Sequence, residues 1–138
     1  MKGDSIPGSD HVLRHVNARL IQGDEIDGSG FQLRKDETEL SFNWMEYYRT
    51  LTAEEQIQSI RDTFPLNVKK KDKFVKLNVG HAKNHVSSEH PEQKTIDFVE
   101  DGCPKVPSHC LMRGEPDIDA MMGDLLAECI LEKFPAIP

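Results

Sequence analysis

No stretch of this chain approaches the roughly 20 consecutive apolar residues that cross a bilayer. The opening MKGDSIPGSD carries a single lysine and no apolar core, so neither a secretion signal nor a lipidation motif is expected. Cysteine is scarce and odd in number, with Cys103, Cys110 and Cys129 only, and no Asn-x-Ser/Thr sequon accompanies them. That pattern argues against a secreted disulfide scaffold and predicts buried, unreactive thiols in a cytoplasmic protein. Also missing are CxxC pairs, HExxH, GxGxxG and GxxxxGK, which removes zinc ribbons, zincins, dinucleotide folds and phosphate loops from consideration. The segment GDEIDGSG has acidic residues, but not at alternating positions and with no closing glutamate, so it reads as a glycine-rich turn and not as a calcium loop.

What remains is a chain of 138 residues with 37% hydrophobic content, enough for one domain, 1-138, to bury a core without disulfides or metal. Residues 1-10 are expected to form a flexible tail. The net charge of -7 disfavours nonspecific binding to nucleic acid or anionic membranes. The one local exception is the run Lys69, Lys70, Lys71 and Lys73, where phosphates could be met, although a lysine-protected strand edge is the plainer reading.

Hydrophobic spacing predicts strands from His11, over Phe31-Leu33, Leu40-Asn43, Phe74-Val79, Thr95-Val99 and Ser108-Met112. Trp44, Tyr47, Tyr48 and Leu51 recur at helical intervals. Thr52 and Glu55 then form a capping box ahead of the apolar stripe Ala53, Ile57, Ile60 and Phe64, which Pro65 ends. Gly80-Gln93 reads as a polar connection bearing His81, His85 and His90. Pro116, Asp117 and Asp119 open a last helix expected to run to about Phe134. Its apolar arc is wide, because Ala120, Gly123, Ala127 and Leu131 extend the face made by Ile118, Met122 and Leu126. The fold expected is α+β: a small mixed or antiparallel sheet of about five strands, packed by the C-terminal helix and the central helical pair.

Three apolar stretches carry polar residues that a plain core strand would exclude: Arg14 and His15, Ser41 and Asn43, Ser108 and His109. Arginine offers a fork of donors for phosphate or carboxylate, histidine a proton shuttle, and serine a nucleophile or oxyanion donor. The histidines 81, 85 and 90 lack a closed ligand spacing, so no metal and no cofactor is expected.

The order LRHV, GSGFQL, LSFNW and PSHCLMRG before a final helix resembles a set of small uncharacterised bacterial proteins with an Arg-His strand, a Leu-Ser strand and a late Pro-x-His segment. That resemblance implies a compact bacterial protein from a mobile or defence-type gene setting. The early Arg14 or His15 and the later Ser41 are also similar to the strand positions used by ADP-ribosyltransferase-type folds. Two functions follow. The first is a small cytosolic interaction or accessory protein that binds a protein partner, or a second copy of itself, through Ala120, Gly123, Ala127 and Leu131 of the last helix. The alternative is an enzyme acting on a nucleotide or nucleic-acid substrate, ADP-ribosyltransferase-like or nuclease-like, with Arg14, His15, Ser41 and His109 as its catalytic residues.

Overall fold

Alternating apolar residues set the frame of the computed structural model, which describes all residues Met1–Pro138. In chain order the strands are β1 (His11–Val16), β2 (Ile21–Gln22), β3 (Glu25–Ile26), β4 (Leu40–Trp44), β5 (Lys73–Asn78), β6 (Thr95–Glu100), β7 (His109–Glu115) and β8 (Glu132–Pro135). Six of them form one sheet in the order β6-β7-β4-β1-β5-β8, antiparallel at every pairing, while β2 and β3 make a separate hairpin. Three helices complete the α+β fold: α1 (Ala53–Thr63), α2 (Val79–Glu89) and α3 (Ala120–Ala127). No helix is long and apolar enough to cross a membrane.

The two faces of the sheet are covered unequally. On one face Val12, Phe42, Leu77, Phe98 and Met112 pack with Val86 of α2 and Met122 and Leu126 of α3 in the larger core. On the other, Leu13 and Phe74 meet Met45, Ile57 and Ile60 in a smaller cluster under α1. Each fully buried side chain of this kind contributes about 1.5 to 3 kcal/mol of transfer free energy. The smaller cluster takes its strand residues from β1 and β5 and none from β4 or β7. In the register Asn43 lies opposite His109 and Ser41 opposite Leu111, so the polar residues of these strands share one face.

The capping box at Thr52 forms as expected, and α1 stops at Thr63 ahead of Pro65. Other expectations are corrected. The last helix neither starts at Pro116 nor reaches Phe134. Asp119 is its N-cap, accepting from the Met122 amide at 3.0 Å, and its helical hydrogen bonding ends at Ala127. The chain then turns, the Leu131 amide donates to the Lys76 carbonyl, and β8 pairs with β5 so that Phe134 faces Phe74. A strand there satisfies backbone groups on the β5 edge that a continued helix would leave open.

Phe31 is buried at the end of a 3-10 turn, Gly28–Phe31, and not in a strand. Met45–Tyr48 is also 3-10, so the central helical pair is one short turn and one helix. The polar connection at Gly80 is α2, nucleated by Asn78, whose side chain accepts from the His81 amide. The expected N-terminal tail lies along β6. The Gly3 and Ile6 amides donate to the Glu100 and Phe98 carbonyls, each at 2.8 Å, and Ile6 is 2% exposed.

Candidate functional site

Strands β1 and β4 pair only at Val12/Trp44 and Leu13/Asn43, and the Arg14 guanidinium fills the space beyond that pairing. Its Nε donates to the Gly30 carbonyl at 2.6 Å and its Nη1 to the Ser41 carbonyl at 2.9 Å, while its Cζ lies 5.7 Å from the Phe42 ring centroid. No carboxylate pairs with it, and Nη2 has no protein acceptor. Burial pulls the Arg14 pKa down to about 10, with Glu37 opposing and Arg34 assisting, so the group is still a cation at neutral pH.

His15 follows on the opposite side of β1. Its Nε2 is 2.9 Å from Asp72 Oδ2, and its ring packs between Phe64, at 5.0 Å, and Phe74, at 5.8 Å. Asp72 is sealed from solvent and also accepts the amides of Ala18 at 2.7 Å and Lys69 at 2.9 Å. Burial alone would raise this carboxyl, but the two amides and the His15 ring outweigh it and hold the pKa below the ordinary value. The carboxylate thus fixes the imidazole, and His15 Nδ1 is left without a partner while still reaching solvent.

His109 repeats the arrangement on β7. Its Nδ1 is 3.0 Å from Asp101 Oδ2, and Nε2 is free. Between the two histidines, the buried Asn43 accepts from Ser108 Oγ at 3.0 Å, which leaves its amide nitrogen available. Ser41 is exposed, and its hydroxyl has no partner.

These side chains line one cavity of about 270 Å³. Arg14, His15, Ser41, Asn43 and His109 line it from the sheet, Arg34 and Glu37 from the segment before β4, and Phe64, Pro65 and Leu66, an apolar wall, from the segment after α1. All four residues expected to be catalytic are therefore brought together. Glu37 is the only carboxylate in the lining, and it precedes Ser41 in the chain. Sequence reasoning passed over Asp72, Asp101, Arg34 and the Phe64–Leu66 wall. Asp72 had a visible signal, being the lone acid inside KKKDK.

The last-helix residues expected to bind a partner do not form one surface. Gly123 is buried, and a Cβ there would lie 2.8 Å from the Gly28 carbonyl oxygen, so its close approach is to the Gly28–Phe31 turn of the same chain. Ala127 is half-buried, Ala120 is exposed, and Leu131, 52% exposed, lies beyond the helix. The histidines of the middle segment are dispersed. His81 and His85 stack on α2, His85 bonds Glu128 at 2.7 Å, and buried His90 bonds Asp119 while accepting the Glu92 amide. No group of three His, Cys, Asp or Glu side chains is gathered as metal ligands would be.

Of the thiols, Cys110 and Cys129 are buried, and burial raises the Cys129 pKa to about 11. Cys103 is exposed, contrary to expectation, because it sits in the turn before β7. Lys69, Lys70 and Lys71 are exposed on the loop that leads into β5, and none makes an ion pair. Set beside protein-family models, curated proteins and solved structures, the chain matches none.

Proposed function

We propose that this protein is an enzyme that binds a phosphodiester of a nucleotide or nucleic acid in the cavity and cleaves it by acid–base catalysis with His15 and His109. One observation carries the reading: two imidazoles, each held through one nitrogen by an aspartate, line the same cavity with their other nitrogen unpartnered. Imidazole is the side chain suited to both taking and giving a proton near neutral pH. In the neutral form each ring keeps its proton on the aspartate-facing nitrogen and presents a lone pair to the cavity.

Arg14 and Arg34, neither paired with a carboxylate side chain, supply positive charge for the phosphoryl oxygens, and the Asn43 amide and Ser41 hydroxyl supply neutral donors. In the reaction one imidazole removes the proton of the attacking hydroxyl as its oxygen bonds to phosphorus. The other, protonated, gives its proton to the departing oxygen as the P–O bond breaks. The product is released with the two rings having exchanged protonation states. A nucleic-acid-cleaving enzyme of the cytoplasm also fits the bacterial mobile-element or defence setting that the sequence resemblance implies.

A protein-partner role retains one supporting feature, the exposed apolar side chains of Met121 and Leu131. Gly123 does not add to it, being engaged within the chain.

The test is cleavage of the dinucleotide uridylyl-(3′,5′)-adenosine. Wild type cleaves it, and His15→Ala and His109→Ala each lower kcat/KM by about 100-fold or more while remaining folded. No cleavage by folded wild type, or undiminished cleavage in both variants, overturns the reading.

A further inference from the structure

Resting on that reading, we infer that the substrate is single-stranded RNA, cut by its own 2′-hydroxyl, and that the strand continues out of the cavity over the Lys69–Lys71 loop. The cavity, at about 270 Å³, falls just under the ~300 to 1,000 Å³ usual for sites that enclose a whole small molecule. It lodges one unit of a longer molecule, so the flanking units lie outside.

The way out is marked. Leu66 of the apolar wall leads into the loop, and the Lys69 amide donates to the same Asp72 carboxylate that holds His15. A second depression of about 240 Å³ is lined by Asp72 itself together with Lys70, Lys71, Ala18 and Gly23. Lys73 is neutralised by Asp24, but Lys69, Lys70 and Lys71 meet no carboxylate in a chain whose net charge is -7. Three unpaired ammonium groups on the loop tied through Asp72 to His15 of the cavity suit the phosphates that follow a scissile diester. The Phe64–Leu66 wall gives an unstacked base an apolar surface, which a base held in a duplex could not reach.

The ribose completes the chemistry. An RNA diester carries its nucleophile beside the phosphorus, so two proton-transfer groups and a cation meet its needs. One imidazole takes the 2′-hydroxyl proton, and O2′ bonds to phosphorus. The P–O5′ bond then breaks with its electron pair on O5′, which receives a proton from the imidazolium. The products are a 2′,3′-cyclic phosphate and a free 5′-hydroxyl.

The experiment compares a single-stranded RNA of about 12 nucleotides, within the usual length range of single-strand sites, with DNA of the same sequence and with the dinucleotide. It uses wild type and the triple variant Lys69→Gln, Lys70→Gln, Lys71→Gln, which leaves the Lys69 amide on Asp72 in place. Wild type is expected to favour the RNA over the dinucleotide in kcat/KM, to leave a cyclic phosphate end, and not to cut the DNA. In the triple variant that preference falls roughly tenfold, and the slope of log Kd against log salt drops by about 2, from ~0.7 for each lost phosphate contact. If the dinucleotide is cleaved but the longer RNA has no advantage, or the advantage survives in the triple variant, the loop is not a strand path, although the acid–base reading stands. DNA cut as fast as RNA overturns the role of the 2′-hydroxyl. Failure to cleave either RNA or dinucleotide removes the underlying reading as well.

Discussion

His15 and Asp72 are 57 positions apart in the chain, yet His15 Nε2 and Asp72 Oδ2 meet at 2.9 Å, and the same carboxylate ties down the amides of Ala18 and Lys69. One buried group therefore orients a candidate catalytic imidazole and closes two loops. Site and fold are coupled at this point, so a change here registers in both.

The coupling predicts an acid-sensitive step. Asp72 has a folded-state pKa below its unfolded value, so its contribution to stability is complete above the ordinary carboxylate range near pH 4 and is lost as pH falls through the lower folded value. The melting temperature should decline below about pH 4. In Asp72→Asn that decline should be shallower, from a starting stability lower by about 1 to 3 kcal/mol at neutral pH. Thermal unfolding of both proteins from pH 2 to 7 checks this, and an unchanged acid limb in the variant would deny Asp72 the role.

Gly123 predicts a packing effect. A Cβ there would lie 2.8 Å from the Gly28 carbonyl oxygen and 3.2 Å from that of Phe31, so α3 must move off the turn in Gly123→Ala. Destabilisation of about 1 to 3 kcal/mol is expected, seen as a lower denaturant midpoint with no change of oligomeric state. A change in sedimentation with stability intact would instead restore Gly123 to a contact between molecules.

The Tyr48 hydroxyl is the one buried side-chain polar atom without a hydrogen-bond partner. Its ring packs against the cluster of Leu13, Met45, Ile57, Ile60 and Phe74. Removing the hydroxyl in Tyr48→Phe should leave stability unchanged or raise it by about 1 kcal/mol, since desolvation of an unsatisfied group costs that much or more. A clear loss of stability in chemical denaturation would show that the hydroxyl has a partner, such as water.

Much of the sheet was legible because β4 alternates apolar and polar residues while β5, β6 and β7 are short apolar-rich runs, and α1 because its cap and its terminating proline flank a regular stripe. The last helix misled because Cys129, Phe134 and Ala136 continue an apolar pattern that both a helix and a returning strand satisfy. Only the open edge of β5, a long-range feature, decides for the strand. The sheet side of the cavity was legible because Arg14, His15, Ser41 and His109 break apolar runs. Their aspartate partners were less so: Asp72 showed only as the lone acid within KKKDK, and Asp101, outside any regular element, reads as ordinary solvated charge until the fold brings a histidine to it.

The central claim is that His15 and His109 form an acid–base pair across one cavity. Its most direct test is the pH dependence of kcat/KM for dinucleotide cleavage in wild type, His15→Ala and His109→Ala. A bell-shaped profile is predicted for wild type, with each variant losing one limb along with most of its rate. A profile without two limbs, or a bell that persists unchanged in both variants, would contradict it.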